Sequence, residues 1–279
     1  MNNFLNIREQ ILEIRENYLK LDCNAFKGNT SSRKNYVQQI EQLRLELSSF
    51  QKSMLIGLIL SDASLDVDSN NATRITIQQS LPHIELLTFV KKVLLEYSGN
   101  SEPINQVPSK NRPNMREYQT LRMPKTFQSL VDLFHSETKS KVIKPEIEKE
   151  INAVVLAFWF MGDGGKRTYN NPDKGLSLHT QCFSKDECEI LAQAILKNLN
   201  IKANVVLDSK EKSQYRIDIS GTSYETFIEQ VGPYILKCFN DRIPKGRSEN
   251  SRYGYMTEER KSKILNSIIN KVTARQADI

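Results

Sequence analysis

Two aspartates in this 279-residue chain close matching apolar runs. The first run is Leu55-Ile56-Gly57-Leu58-Ile59-Leu60-Ser61-Asp62-Ala63, and the second is Leu156-Ala157-Phe158-Trp159-Phe160-Met161-Gly162-Asp163-Gly164. Asp62 and Asp163 stand 163 − 62 = 101 residues apart, the length of a small domain. Each run is too short for a membrane span, which needs about 20 residues. Each suits two or three buried helical turns, or a buried strand. Polar, turn-rich sequence and then alternating patterns follow both acids, which favours helices ending at the carboxylates. An acid there opposes the negative end of the helix dipole, at a cost of roughly a few tenths of a kcal/mol. Two such acids at matching positions point to a compensating cation. Paired carboxylates beside helix-end carbonyls make a hard-oxygen site suited to Mg²⁺. The pattern alone leaves two unrelated helix ends as the other reading.

Other chemistry fits less well. Gly162-Asp163-Gly164-Gly165-Lys166 looks phosphate-cradling, but a P-loop needs Ser or Thr after its lysine, and Arg167 stands there. Its glycines also follow a helix rather than open one. His83, His135 and His179 show no triad or ligand spacing and are expected at surfaces or helix ends. Cys23, Cys182, Cys188 and Cys238 contain no C-x-x-C, which argues against zinc and against a disulfide framework.

The elements around the acids repeat. After Asp62, strands are expected at Leu65–Asp68 and Arg74–Gln79 around the turn Ser69-Asn70-Asn71. Next come a helix over 83–97, a hairpin of Ile104–Val107 with Tyr118–Met123, and a helix through Phe127, Leu130, Val131 and Phe134. After Asp163, strands at Lys166–Tyr169 and Leu176–Phe183 flank Asn170-Asn171-Pro172-Asp173. A helix over Glu187–Leu199, a hairpin of Ala203–Leu207 with Tyr215–Ile219, and a helix over Tyr224–Phe239 complete the second unit. Residues 4–20 and 36–47 carry helical periods, with a polar break at 27–32 and a basic pair, Arg33-Lys34, that could form a DNA-contacting arm. In the tail, Ile264, Ile268 and Val272 keep a helical spacing that fits packing on the second repeat or contact with nucleic acid.

The two signatures resemble those of the LAGLIDADG homing endonucleases in their single-chain, two-repeat form. Leu55–Ala63 matches in its Leu, Gly, Leu, Ile and Asp positions and departs at Ile56, Leu60 and Ser61. The second copy has Phe158 where glycine is usual but keeps the familiar ending Phe-Met-Gly-Asp-Gly-Gly-Lys. The resemblance implies an α+β pseudo-dimer of duplicated αββαββα units. Two signature helices would pack at its centre, and two antiparallel sheets would form a DNA-binding saddle. The boundaries would be a helical extension over 1–50, repeats over 51–150 and 151–250, and a basic tail over 251–279.

The resemblance also implies an activity, a site-specific double-strand break in a long DNA target by Mg²⁺- or Mn²⁺-dependent phosphodiester hydrolysis, promoting intron mobility. Asp62 and Asp163 would hold the metals, with the carbonyls of Ser61 and Gly162 as further ligands. Lys141 and Arg242 occupy the position of the basic residue that follows each repeat's second hairpin and final helix. Arg242 replaces the usual lysine and is a poor base. Gln181 and Gln79 resemble residues that order solvent near the metals, with Gln78 as an alternative register. DNA contacts are expected from Arg74, Lys110, Arg112, Arg116 and Arg122 in the first repeat, and from Lys166, Arg167, Lys174, Lys212 and Arg216 in the second.

Composition agrees with these expectations. A net charge of +6 and a pI near 9.0 favour a polyanionic partner. Residues 103–145 hold eight Lys/Arg against three acids, and residues 232–279 hold ten against five. Such excesses predict salt-dependent binding. No apolar segment is long enough for a membrane helix, and the N-terminus lacks signal-peptide and transit-peptide features. These features fit an unsecreted protein, and the resemblance implies an intron-encoded monomer in an organelle, a mitochondrion or chloroplast. Two rivals use the same fold: a group I intron maturase that binds its intron RNA, and a DNA regulator that binds without cutting.

Overall fold

The computed structural model describes residues 34, 37, 38, 46–98, 111–135, 141–167, 175–244 and 256–277, with side chains as far as 268. Two compact units divide the chain. One comprises 1–51, 63–128 and 257–279, and the other comprises 52–62 and 129–256.

In the first unit, β1 (Ser64–Val67), β2 (Thr73–Ser80) and β3 (Met115–Gln119) form an antiparallel sheet in the order β1-β2-β3. The β1–β2 turn forms as expected. Asp68 Oδ1 accepts from the Asn70 and Ala72 amides, and Asn71 takes the left-handed conformation at φ 58°. Burial alternates along β2, so Ile75 and Ile77 are enclosed while Arg74, Thr76 and Gln78 stay half-exposed. Helix α1 (Ser49–Leu60) begins in this unit. Helix α2 (Ile84–Val93) covers the apolar face with Leu86, Leu87, Val90 and Val93. It is shorter than the expected 83–97, because a 3₁₀ turn takes over at Leu95–Tyr97. The strand expected at Tyr118–Met123 lies at Met115–Gln119 instead and pairs with β2. Its expected partner, Ile104–Val107, lies outside the described residues, as do the helix expected at 4–20, Arg33, Lys110, Lys174 and the turn at 170–173.

The second unit holds the rest of α1 from Lys52, α3 (Gln128–Phe134) from Ser129 on, and α4 (Ala153–Asp163). Its sheet runs β4 (Gly164–Lys166), β5 (Leu176–Leu178), β7 (Gln214–Ile219), β6 (Ala203–Ser209) in spatial order. Helix α5 (Lys185–Leu199) opens with a capping box between Ser184 and Glu187 and lies on the sheet's apolar face. That face carries Leu176, Leu178, Ile217 and Ile219, all fully buried. Two expected elements are cut short. The chain leaves β5 after Leu178 and turns, with the Phe183 amide donating to the Thr180 carbonyl. The helix expected over 224–239 stops as α6 (Tyr224–Gln230), because Gly232-Pro233 cannot continue it.

Helix α7 (Glu258–Ala277) joins the first unit. Among its described side chains, Lys261, Leu265 and Ile268 are buried, while Ile264 is only half-buried. Lys261 Nζ donates to Glu85 of α2 at 2.8 Å. The tail thus packs with the first sheet's helix, where the sequence left open the second repeat or contact with nucleic acid.

Candidate active site

Helices α1 and α4 meet without a layer of side chains between them. A Cβ on Gly57 would stand 2.4 Å from the Val155 carbonyl oxygen and 2.8 Å from Phe158 Cβ. Phe158 lies 101 residues after Gly57, so each is the other's counterpart in the repeat. Only one of the two must lack a side chain for the backbones to touch, which explains why the second signature could lose its glycine. The same interval relates Ser61 to Gly162. A Cβ on Gly162 would meet Ser61 Oγ at 2.1 Å and Asp62 Oδ2 at 3.4 Å. The two signatures therefore end against each other. Asp163 is the last residue of α4, and Asp62 follows the end of α1 by two residues.

A cation sits on each of these ends. Lys141 Nζ donates to the Ile59 carbonyl at 2.6 Å and to the Ser61 carbonyl at 3.3 Å. Arg242 Nη1 donates to the Gly162 carbonyl at 2.5 Å and to the Gly164 carbonyl at 3.2 Å. The cations are themselves 242 − 141 = 101 residues apart. Each supplies positive charge where a helix exposes unpaired carbonyls. Each also lies over an aromatic ring, Lys141 Nζ 5.3 Å from the Phe183 centroid and Arg242 Cζ 5.1 Å from that of Phe239.

The electrostatics tie these groups together. Burial pushes the Asp163 carboxyl up to about 7, and the neighbouring Asp62 charge adds to this, against Lys141 and Arg242. Desolvation draws Lys141 below the ordinary lysine value, partly offset by Cys182, Asp163 and Asp62. Lys141 and Arg242 match the two carboxylates in formal charge, so it is burial first and the Asp62 charge second that leave Asp163 short of stabilisation. Hard oxygens from Asp62 and Asp163 fit a divalent cation that keeps waters and takes phosphate oxygens to complete its shell. The carbonyls of Ser61 and Gly162 already accept from Lys141 and Arg242. Among the described residues, no three or more His, Cys, Asp or Glu side chains converge as metal ligands.

The two glutamines differ in setting. Gln181 lies in the turn between β5 and α5, where its Nε2 donates to Asp208 Oδ2 at 3.0 Å and stands 3.3 Å from His179 Nδ1. The His179 amide donates to the Asp163 carbonyl at 2.9 Å. Gln79 belongs to the first unit and points to the enclosed face of β2, opposite Arg116. Gln78 lies on the other face and donates to Glu117 at 2.8 Å.

Four of the arginines expected to contact DNA are held by acids. Arg74 donates to Asp66 at 2.8 Å, and Arg122 donates both to the Asp66 carboxylate and to its carbonyl. Arg116 turns to the carbonyls of Pro113 and Met115, and Arg112 is exposed. In the second sheet Arg167 and Arg216 share Asp218, and Arg216 also reaches Asp208. Lys166 pairs in register with Leu176 and so belongs to the apolar layer's side, whereas Lys212 is exposed in the β6–β7 turn. Sequence reasoning missed the acids Asp66, Asp208 and Asp218, and it set His179 aside. One signal was available for Asp208: the unbroken apolar run Val205-Val206-Leu207 before it, where an alternating strand pattern fails.

Comparison with known proteins follows the same outline. The sequence profile of the LAGLIDADG DNA endonuclease family matches residues 52–227. A probable intron-encoded endonuclease 1 of Wickerhamomyces canadensis is 32% identical over 223 residues, covering 78% of this chain and 92% of that protein. The cytochrome b mRNA maturase bI2 of Saccharomyces cerevisiae is 23% identical over 256 residues, covering 87% of this chain and 58% of that protein. Among solved structures, the homing endonuclease I-WcaI bound to its DNA recognition sequence matches with a TM-score of 0.68 at 28% identity. That match covers 80% of this chain and 97% of the other.

Proposed function

Because this chain belongs to the LAGLIDADG DNA endonuclease family, we propose that it makes a site-specific double-strand break in a long duplex target and so promotes intron mobility. The observation that supports this most is the meeting of the Asp62 and Asp163 ends, each with its own cation. Asp62 and Asp163 hold the divalent metal. Bound there, Mg²⁺ or Mn²⁺ supplies an activated water and Lewis acidity for in-line hydrolysis of the phosphodiester. Lys141 and Arg242 fix the two helix ends and place positive charge near the reacting phosphate. Desolvated Lys141 can exchange a proton, while Arg242 stays cationic. Gln181 orders solvent. Backbone oxygens of Ser61 and Gly162 are secondary ligands at most, given the donors they already accept.

The half-exposed sheet faces mix donors with acceptors, as reading base edges in a major groove requires. Arg74, Arg122 and Arg167 suit that reading, and Arg112 and Lys212 suit phosphate contact. We assign the repeats to 51–150 and 151–250, flanked by an extension and a tail, in a protein that acts as a monomer. The intron-encoded endonuclease it resembles supports an intron-encoded origin here, and we place its work in a mitochondrion or chloroplast.

The second reading is a maturase, favoured by the likeness to the cytochrome b mRNA maturase bI2 over 87% of this chain. Purified full-length protein with Mg²⁺ should linearise a plasmid carrying the intronless host allele and spare one carrying the intron. Failure to cut either, together with tight binding to the intron RNA, would favour the maturase.

A further inference from the structure

Strand β6 carries a bulge. Leu207 pairs with Tyr215 and Ser209 with Gln214, so Asp208 is left out of the register. A bulge re-aims a side chain, and such irregularities are enriched beside active sites. Asp208 here reaches two partners. Its Oδ2 accepts from Gln181, and its Oδ1 accepts from Arg216. Arg216 is in turn held by Asp218, through Nε at 2.9 Å and Nη2 at 3.4 Å, and Arg167 closes the chain on Asp218 at 3.3 Å. The middle of this chain is enclosed: the side chains of Arg216 and Asp218 are 11% and 6% exposed. Arg216 therefore has its guanidinium committed inside the sheet, although its place on a strand suggested a base contact.

We infer that Asp208 is a positioning residue for cleavage: it fixes the amide of Gln181 beside Asp163, and Arg216 acts through Asp208 rather than on DNA. The inference rests on the endonuclease reading of Gln181. A carboxylate only accepts, so Asp208 compels Gln181 to face it with Nε2 and leaves Oε1 as the acceptor for a water's proton. His179 fixes the same turn by donating its amide to the Asp163 carbonyl. Residue 182, next in the chain, lies close enough to sense both Lys141 and Asp163. The chain thus serves the Asp163 side of the site, and its loss should slow one strand's cut more than the other.

The test follows a supercoiled plasmid bearing the target, with DNA affinity measured separately. Asp208→Asn keeps the shape but offers a donor as well as an acceptor, so the Gln181 amide is no longer oriented. Nicked circle should accumulate as the second cut slows roughly tenfold or more, as for other residues that orient a site from behind. Affinity should stay unchanged. The double variant Asp208→Asn/Gln181→Ala should be no slower than Gln181→Ala alone. Arg216→Lys, which keeps charge but loses the fork, should nick in the same way and covers the case of a misfolded Asp208→Asn. Linearisation at the wild-type rate by a folded Asp208→Asn would overturn the positioning role while leaving the endonuclease reading intact. So would additive losses in the double variant, or a fall in affinity equal to the fall in rate. A wild type that does not cut would overturn both.

Discussion

At the scale of single residues, Asp163 carries the sharpest consequence. Its carboxyl is raised from 3.8 to about 7 by burial and by Asp62. It therefore favours folding most below pH about 4, where it is protonated folded and unfolded alike, and this contribution is lost as pH climbs to about 7. Metal-free Asp163→Asn should consequently be more stable than wild type at pH 8, by roughly 1–3 kcal/mol if a tenfold change in protonation is about 1.4 kcal/mol. Urea titrations from pH 4 to 8 would show it, and the wild-type loss of stability over that range should flatten in the variant. A divalent cation should also raise the wild-type melting temperature more at pH 8 than at pH 5, because it binds the ionised pair.

At the scale of elements, the seam between α1 and α4 rests on two small residues. Gly57→Ala puts a methyl 2.4 Å from a backbone oxygen that cannot swing away. It should cost roughly 1–3 kcal/mol on denaturant unfolding. Gly162→Ser meets the Ser61 side chain instead, so Ser61→Gly in the same chain should recover much of the loss in melting temperature. These helices were legible because eight-residue, mostly apolar runs ending in aspartate recur at a fixed interval. The strand ends were not. Thr180 to Phe183 continues an alternating pattern, but the capping box at Ser184 and Glu187 draws the chain into α5 and places Gln181 in a turn. The helix expected to reach Phe239 likewise ended where Gly232-Pro233 removed a donor.

At the scale of the whole molecule, charge was legible as a sum but not in its pairing. The net +6 predicts binding to a polyanion, yet Arg74, Arg122, Arg167 and Arg216 all share carboxylates. Partners on neighbouring strands or distant in sequence, such as Asp66 and Arg122, leave no trace in local composition. Steep salt dependence should therefore come from exposed groups such as Lys212, whose replacement by alanine should lower the salt slope by about 1 and weaken all sequences alike. Replacing Arg74 by alanine should instead relax base preference at one position, at roughly 1–3 kcal/mol.

The central claim is that Asp62 and Asp163 together perform the cut. The direct measurement compares the full-length wild type with Asp62→Asn and Asp163→Asn on the intronless allele in Mg²⁺, with DNA affinity measured alongside. Wild type should make a double-strand break, and each variant should lose that break with affinity retained. A double-strand break made at the wild-type rate by either variant would contradict that claim.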